Sequence, residues 1–148
     1  MITKLFIKQC EKAGEIQKQF KFKMGDLFIH TDYLKTKHYI VLDESIVSSS
    51  VINTYKKEGA IWLPTQEQLQ EILQYYYQCN SKIEGLQWGD SINLFMLKRL
   101  YDFAVKNKYI VYDINYLWLA FVMKEKYHKV WNGKDWIEEN NHGISTNK

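Results

Sequence analysis

Four histidines are the side chains of this 148-residue chain best suited to metal binding or general-base catalysis: His30, His38, His128 and His142. His30 and His38 lie in two segments that we expect to pair as a hairpin. Asp32, Asp43 and Glu44 are nearby, so this region would be the place for such a cluster. No HxH, HxxxH or HExxH spacing brings the histidines together by local geometry. We therefore expect ordinary surface or rim histidines and no metal site.

No motif for nucleophilic or phosphate chemistry is present. The seven glycines form neither GxGxxG nor GxxxxGK[ST], and no GxSxG elbow occurs. The hydroxyls of Ser48–Ser50 have no obvious base. Glu67 and Glu71 stand at i,i+4 spacing near a helix start, where carboxylates complement the helix dipole. We expect a non-enzymatic protein without a cofactor, and keep an enzyme that uses the His30–Asp43 region as an alternative.

The charge balance is weak, and nearly all the cations are lysines. Lysine and arginine total 20 against 17 acidic residues, a net charge of +3, and Arg99 is the single arginine. The arginine guanidinium is the usual reader of guanine edges and phosphate pairs, whereas lysine is a solvated point charge. The composition argues against a sequence-specific DNA reader and leaves lysine contacts to phosphates open.

The two cysteines, Cys10 and Cys79, have no CxxC partner and no metal-type spacing. We expect buried free thiols in a reducing cytosol.

The amino terminus lacks a signal-peptide pattern. The longest apolar run is Tyr116–Met123, well short of the roughly 20 residues that a membrane span needs. A cytoplasmic, soluble protein with no membrane contact is expected.

Hydrophobic periodicity predicts an α+β fold, with about four helices packed on a small, mostly antiparallel sheet. We expect a single domain over residues 1–139 and a flexible C-terminal tail over 140–148. One amphipathic helix is predicted for residues 2–20. Leu27–Ile29 and His38–Leu42 have the composition of two strands. Residues 45–58 fit a third strand or an irregular crossing.

Thr65 and Gln68 form a capping-box pattern that predicts a helix from this point to about Cys79. Asp90 or Ser91 is expected to cap the next helix. The predicted buried stripes of these two helices are Leu69, Ile72, Leu73 and Tyr76, then Leu94, Leu97, Tyr101, Ala104 and Val105.

The last helix is predicted to start after Asp113, and its first half is apolar on all sides. That pattern indicates a central core helix or a helix with a second packed face. Residues 109–112 fit a strand or the approach to this helix. Asn132-Gly133 is typical of a helix stop or a tight turn, after which Trp136 is expected to pack back.

The aromatic content, at 16% of the chain, is the one feature of the composition that stands out from an ordinary soluble domain. Three successive tyrosines fan across about 200° of a helix, whereas a buried stripe is nearer 100° wide. If Tyr76 faces inward, Tyr75 and Tyr77 flank it and at least one of them meets solvent or a partner. Trp88 lies in a loop between Gly85 and Gly89 and is hard to bury fully.

Tyr75, Tyr77 and Trp88 are therefore the candidate binding residues. Such aromatics anchor protein interfaces, or stack on the bases of single-stranded nucleic acid while lysines follow the phosphates. Isolated surface aromatics without a role are the third interpretation.

Two parts of the chain resemble small uncharacterised proteins of phages and prophages in low-GC Gram-positive bacteria. They are the run WLPTQEQLQE from Trp62 and the run LWLAFVMKEKY from Leu117, the latter followed by KVWNG and Trp136. The resemblance implies a setting in the host cytoplasm and carries over no site residue. Small phage proteins frequently bind a host or defence protein, as anti-CRISPR proteins do.

The leading hypothesis is a phage or prophage accessory protein that binds and blocks a host or defence protein through an aromatic, lysine-bearing surface. The alternative is a lysine-driven nucleic-acid or nucleotide-binding protein, which a steep dependence of affinity on salt would distinguish.

Overall fold

Two small antiparallel sheets and five helices make up the described part of the computed structural model, which confirms the α+β class. Described are residues 2–19, 21, 23–31, 37–43, 50, 54–55, 59–80, 83, 91–107 and 113–139. The helices are α1 (Lys4–Lys12), α2 (Gly14–Gln17), α3 (Gln66–Cys79), α4 (Ile92–Lys106) and α5 (Ile114–Tyr127). The strands are β1 (Leu27–Thr31), β2 (Lys37–Val41), β3 (Ile61–Trp62), β4 (Lys129–Trp131) and β5 (Trp136–Glu138).

The first sheet has the strand order β2-β1-β3 with antiparallel pairing throughout. Leu27 pairs with Val41 in the predicted hairpin, and Phe28 pairs with both Ile40 and Trp62. Most of residues 45–58, as well as the predicted tail 140–148, lies outside the described residues.

The helix predicted for residues 2–20 is interrupted at Ala13, so that α1 and α2 are separate. Gly14 has low helix propensity, which favours a break at this point. The break directs Gln17 toward β3. Its amide oxygen accepts from the Trp62 nitrogen at 2.8 Å, and its amide nitrogen donates to the carbonyl oxygens of Trp62 at 3.0 Å and Cys10 at 2.9 Å. The Gln17 side chain thus pairs with β3 as a strand backbone would.

The capping box at the start of α3 is present as predicted. The Thr65 hydroxyl accepts from the Gln68 backbone nitrogen at 3.3 Å, and the Gln68 side-chain oxygen accepts from the Thr65 backbone nitrogen at 2.9 Å. Two backbone donors that a helix start leaves without partners are satisfied in this way. The capping box therefore sets the point at which the chain leaves β3 and begins α3.

α5 is the central helix of the core. All seven residues from Leu117 to Met123 are buried, with α1, α3 and α4 packed around them. The helix ends at Tyr127, and His128 follows in the left-handed conformation with φ 55°. Asn132-Gly133 does not end the helix but forms the tight turn between β4 and β5, with Gly133 at φ 97°.

The buried stripe predicted for α4 is wrong for four of its five residues. Leu94, Leu97, Tyr101 and Val105 are exposed, while Ala104 packs half-buried against the core. The buried residues of α4 are Met96, Leu100 and Phe103. Both sets obey the 3.6-residue period, because α4 is apolar around most of its circumference. The period identifies an apolar arc but does not say which arc other elements cover.

Within the described ranges, no helix is both long enough and apolar enough to cross a membrane.

Candidate functional site

The three predicted binding residues lie in different environments. Tyr75 is exposed, with 67% of its surface accessible. Tyr77 is buried at 2%, so the expectation that it flanks the buried stripe as a surface residue is wrong. Position 77 follows Leu73 by four residues and therefore continues the buried stripe, whereas Tyr76 is only half-buried. Trp88 lies outside the described residues.

Tyr77 takes part in a partly buried polar cluster between α3, α4 and α5. Its hydroxyl donates to Glu125 Oε2 at 2.9 Å, and Arg99 donates to both oxygens of the same carboxylate at 2.7 and 3.0 Å. Burial first, and then the Glu125 charge, raises the pKa of the Tyr77 hydroxyl well above its usual range. The single arginine of the chain therefore joins α4 to α5 within the fold.

An open cleft of about 200 Å³ lies beside Tyr75. Four separate parts of the chain form it: the segment between α2 and β1, β3, one face of α3, and the C-terminal turn of α5. The lining residues are Gln19, Lys21, Lys23, Asp26, Trp62, Gln68, Glu71, Ile72, Tyr75 and Lys126.

The floor of the cleft is held by Asp26. This buried carboxylate accepts from the Lys23 backbone nitrogen at 2.7 Å and from the side-chain nitrogen of Gln68. Since Gln68 also belongs to the capping box of α3, Asp26 fixes the start of this helix relative to β1. The carboxylate of Asp26 is thus occupied by structural contacts, and Glu71 is the exposed carboxylate of the cleft.

Lysines and a tyrosine ring form the rim of the cleft. Lys21 and Lys23 are exposed, whereas Lys126 is half-buried, with its ammonium group 5.4 Å from the centre of the Tyr127 ring. Burial lowers the pKa of Lys126 below its ordinary value. A hydrogen bond with Cys79 raises the pKa of the Tyr75 hydroxyl. The cleft therefore presents three cationic groups and a phenol ring held on a rigid helix.

The sequence predicted an exposed tyrosine and a lysine-bearing surface but not which lysines lie beside Tyr75. Lys21 and Lys23, Tyr75 and Lys126 come from three distant segments that have no common spacing. One sequence pattern does indicate the solvent-exposed face of α3 that carries Tyr75: the i,i+4 series Glu67, Glu71 and Tyr75. Residues four apart share a helix face, and two glutamates mark that face as solvated. All three side chains are exposed in the structure.

The histidine region has a different geometry from a ligand cluster. His30 and His38 are directly opposite in the β1–β2 register. His38 is exposed, but His30 is buried, with its ring centre 4.8 Å from that of Tyr55, so the expectation of a surface histidine is wrong for His30. Among the residues that the structure describes, no group of three histidine, cysteine, aspartate or glutamate side chains is placed to hold a metal ion.

The expectation that both cysteines are buried is half wrong. Cys10 is buried in the core, while Cys79 is exposed at the end of α3.

No known protein family, curated protein or solved structure matches this chain. The function must therefore be inferred from the geometry of the cleft itself.

Proposed function

We propose that this protein is a non-enzymatic binding protein that takes a segment of a partner protein into the cleft beside Tyr75 and blocks the partner sterically. The observation that carries the proposal is the exposure of Tyr75, at 67%, on the wall of a concave site whose rim bears lysines. A tyrosine on a rigid helix offers a large contact area at low entropic cost. Tyrosine is also among the residues that dominate interface energetics.

The charges around the cleft indicate the chemistry of the partner segment. Lys21, Lys23 and Lys126 exceed the exposed carboxylate Glu71 in number. Complementary charge increases association rates and selects partners. An acidic segment carrying an apolar side chain, which would lie against the Tyr75 ring, fits this arrangement.

The resemblance to phage and prophage proteins supplies the setting of the proposal. In that setting the partner would be a host or defence protein in the host cytoplasm. Steric blocking requires no catalytic group and no cofactor.

Nucleic-acid or nucleotide binding is the second candidate, favoured by the same three lysines and by the Tyr75 ring as a stacking surface. Two observations weigh against it. Arg99, the only guanidinium, is bound to Glu125, and Glu71 would repel phosphates within the cleft. A protein partner therefore fits better.

Affinity capture from a host lysate tests the proposal with Tyr75→Ala, and Tyr39→Ala serves as the matched control because Tyr39 is an exposed tyrosine of β2. Loss of the Tyr75 ring should weaken capture at least tenfold, about 1.4 kcal/mol or more. The control variant should capture the partner as the wild type does.

Equal capture by the wild type and Tyr75→Ala would show that the cleft is not the interface. Titration with a single-stranded oligonucleotide at several salt concentrations distinguishes the second candidate. Affinity that falls steeply with ionic strength and depends on Lys21 and Lys126 would favour nucleic acid over a protein partner.

A further inference from the structure

Helix α4 has a second apolar face that points to solvent. Leu94, Leu97, Tyr101 and Val105 are each between 51% and 69% exposed. Their spacings of three, four and four residues place them on one arc of the helix, about 80° wide. The core-facing residues of α4 lie on a different arc. Four large apolar side chains in one exposed arc are typical of an interaction surface rather than of scattered surface residues.

The charges beside this arc have a self-complementary arrangement. Lys98 and Asp102 are exposed and lie on one flank, at about 40° and 80° around the helix axis from Leu94. Lys98 lies between one and two residues before the midpoint of the Leu94–Val105 span, and Asp102 lies between two and three residues after it. A second α4 running in the opposite direction would place the Lys98 of each copy beside the Asp102 of the other.

We propose that α4 pairs with α4 of a second copy of this chain in an antiparallel homodimer. Leu94 of one copy then lies opposite Val105 of the other, and Leu97 lies near Tyr101. Antiparallel packing around a twofold axis brings equal flanks together, which forms the Lys98–Asp102 pair twice. Parallel packing would set this flank against the opposite one and would form neither pair. Antiparallel helix dipoles add a favourable term.

The size of the surface limits the strength of this dimer. A helix of 15 residues is about 22 Å long. A single helix pair of that length falls below the roughly 1,200 Å² of a standard stable interface, in the range of weak and reversible association. We therefore expect a dissociation constant on the order of tens of micromolar.

The dimer is independent of the proposed partner site. No residue of α4 lines the cleft beside Tyr75. A variant of one surface should leave the other unaffected, so failure of either proposal can be recognised separately.

Sedimentation velocity of the full chain from about 5 to 500 μM tests the dimer. The wild type should shift from monomer to dimer across this range. Leu97→Glu should stay monomeric, because it places a carboxylate within the apolar arc. Val41→Glu is the matched control, since Val41 is an exposed apolar residue of β2 at 59%, and it should dimerise as the wild type does. Circular dichroism confirms that each variant is folded.

A charge exchange tests the antiparallel geometry specifically. Lys98→Glu should weaken the dimer about tenfold by placing two carboxylates together, and Lys98→Glu combined with Asp102→Lys should restore it. A wild type that stays monomeric at every concentration overturns the proposal. So does a dimer insensitive to Leu97→Glu, or a double exchange that restores nothing. Binding of a monomer to phosphatidylcholine vesicles through Leu97 would assign the arc to a membrane surface and equally overturn it.

Discussion

Gln9 is a residue of α1 whose side-chain amide is enclosed within the protein. Its side chain is fully buried, and neither amide atom has a hydrogen-bond partner within the part of the chain that the structure describes. Its backbone carbonyl accepts from Trp136 Nε1 at 3.0 Å. A buried amide without partners loses its hydration and gains nothing in return, which costs about 1–3 kcal/mol. Position 9 is therefore a point of local instability.

Gln9→Met should stabilise the protein by about 1–2 kcal/mol, since methionine has a similar shape and no hydrogen-bonding requirement. Urea denaturation measures the free energy of unfolding. Gln17→Met is the control, because the Gln17 amide makes three hydrogen bonds to the backbone, and its loss should destabilise by about 2 kcal/mol. Destabilisation by Gln9→Met would mean that the amide has a structural partner.

Tyr77 couples the stability of the fold to alkaline pH. Its folded-state pKa is raised by burial and by Glu125, while the unfolded tyrosine ionises near pH 10. The stabilising contribution is complete below about pH 10. Above that pH the unfolded chain releases this proton and the folded chain keeps it, so stability falls by up to about 1.4 kcal/mol per pH unit.

Tyr77→Phe should cost about 1–2 kcal/mol at pH 7 through loss of the hydrogen bond to Glu125. It should also lose less stability than the wild type between about pH 10 and 11, because it has no proton to release. Urea midpoints at pH 7, 10 and 11 provide the comparison. Tyr39→Phe, at an exposed position, should follow the wild type. If Tyr77→Phe and the wild type lost the same stability between pH 10 and 11, the assignment of the alkaline pH dependence to Tyr77 would be contradicted.

At the scale of elements, local rules predicted the starts of helices well. Thr65 and Gln68 form the predicted capping box, and Ser91 and Asp113 cap α4 and α5 as expected. These caps depend on neighbours within three residues, so the sequence contains the whole signal. The orientation of α4 was not predictable in this way, because it depends on which apolar arc meets α3 and α5. Only packing with distant segments decides that.

The end of α5 gives a prediction at this scale. His128 occupies the left-handed position that usually holds glycine, and its backbone nitrogen donates to the Lys124 carbonyl at 3.0 Å. A side chain in this conformation costs about 1 kcal/mol relative to glycine. His128→Gly should therefore stabilise by about 1 kcal/mol, and His128→Ala should be close to neutral. Thermal unfolding checks both variants, and a lower melting temperature for His128→Gly would show that the imidazole makes a stabilising contact.

At the scale of the whole molecule, the α+β class followed from periodicity and turn residues, but the cleft did not. Lys21, Tyr75 and Lys126 are separated by about 50 residues from one to the next and meet only after α3 and α5 pack together. An exposed tyrosine at position 75 or 77 was predictable because a helix cannot bury three adjacent tyrosines, and Tyr75 is the exposed one. The lysines lacked any such geometric constraint, since a lysine at any surface position looks the same in the sequence.

The contrast between the two thiols makes the chain suitable for labelling without mutation. Cys10 is buried, and burial raises its pKa, followed by a smaller effect of Asp113; Cys79 is exposed. A maleimide should modify the exposed thiol of Cys79 rapidly and the buried thiol of Cys10 only when the protein unfolds. Intact-mass spectrometry counts the adducts. Rapid double modification would show that the core opens readily.

A fluorophore on Cys79 would lie one helical turn from Tyr75, with the two β-carbons about 6 Å apart. Any molecule that enters the neighbouring cleft would then change the emission of the dye. The natural sequence thus provides its own optical reporter for screening candidate partners.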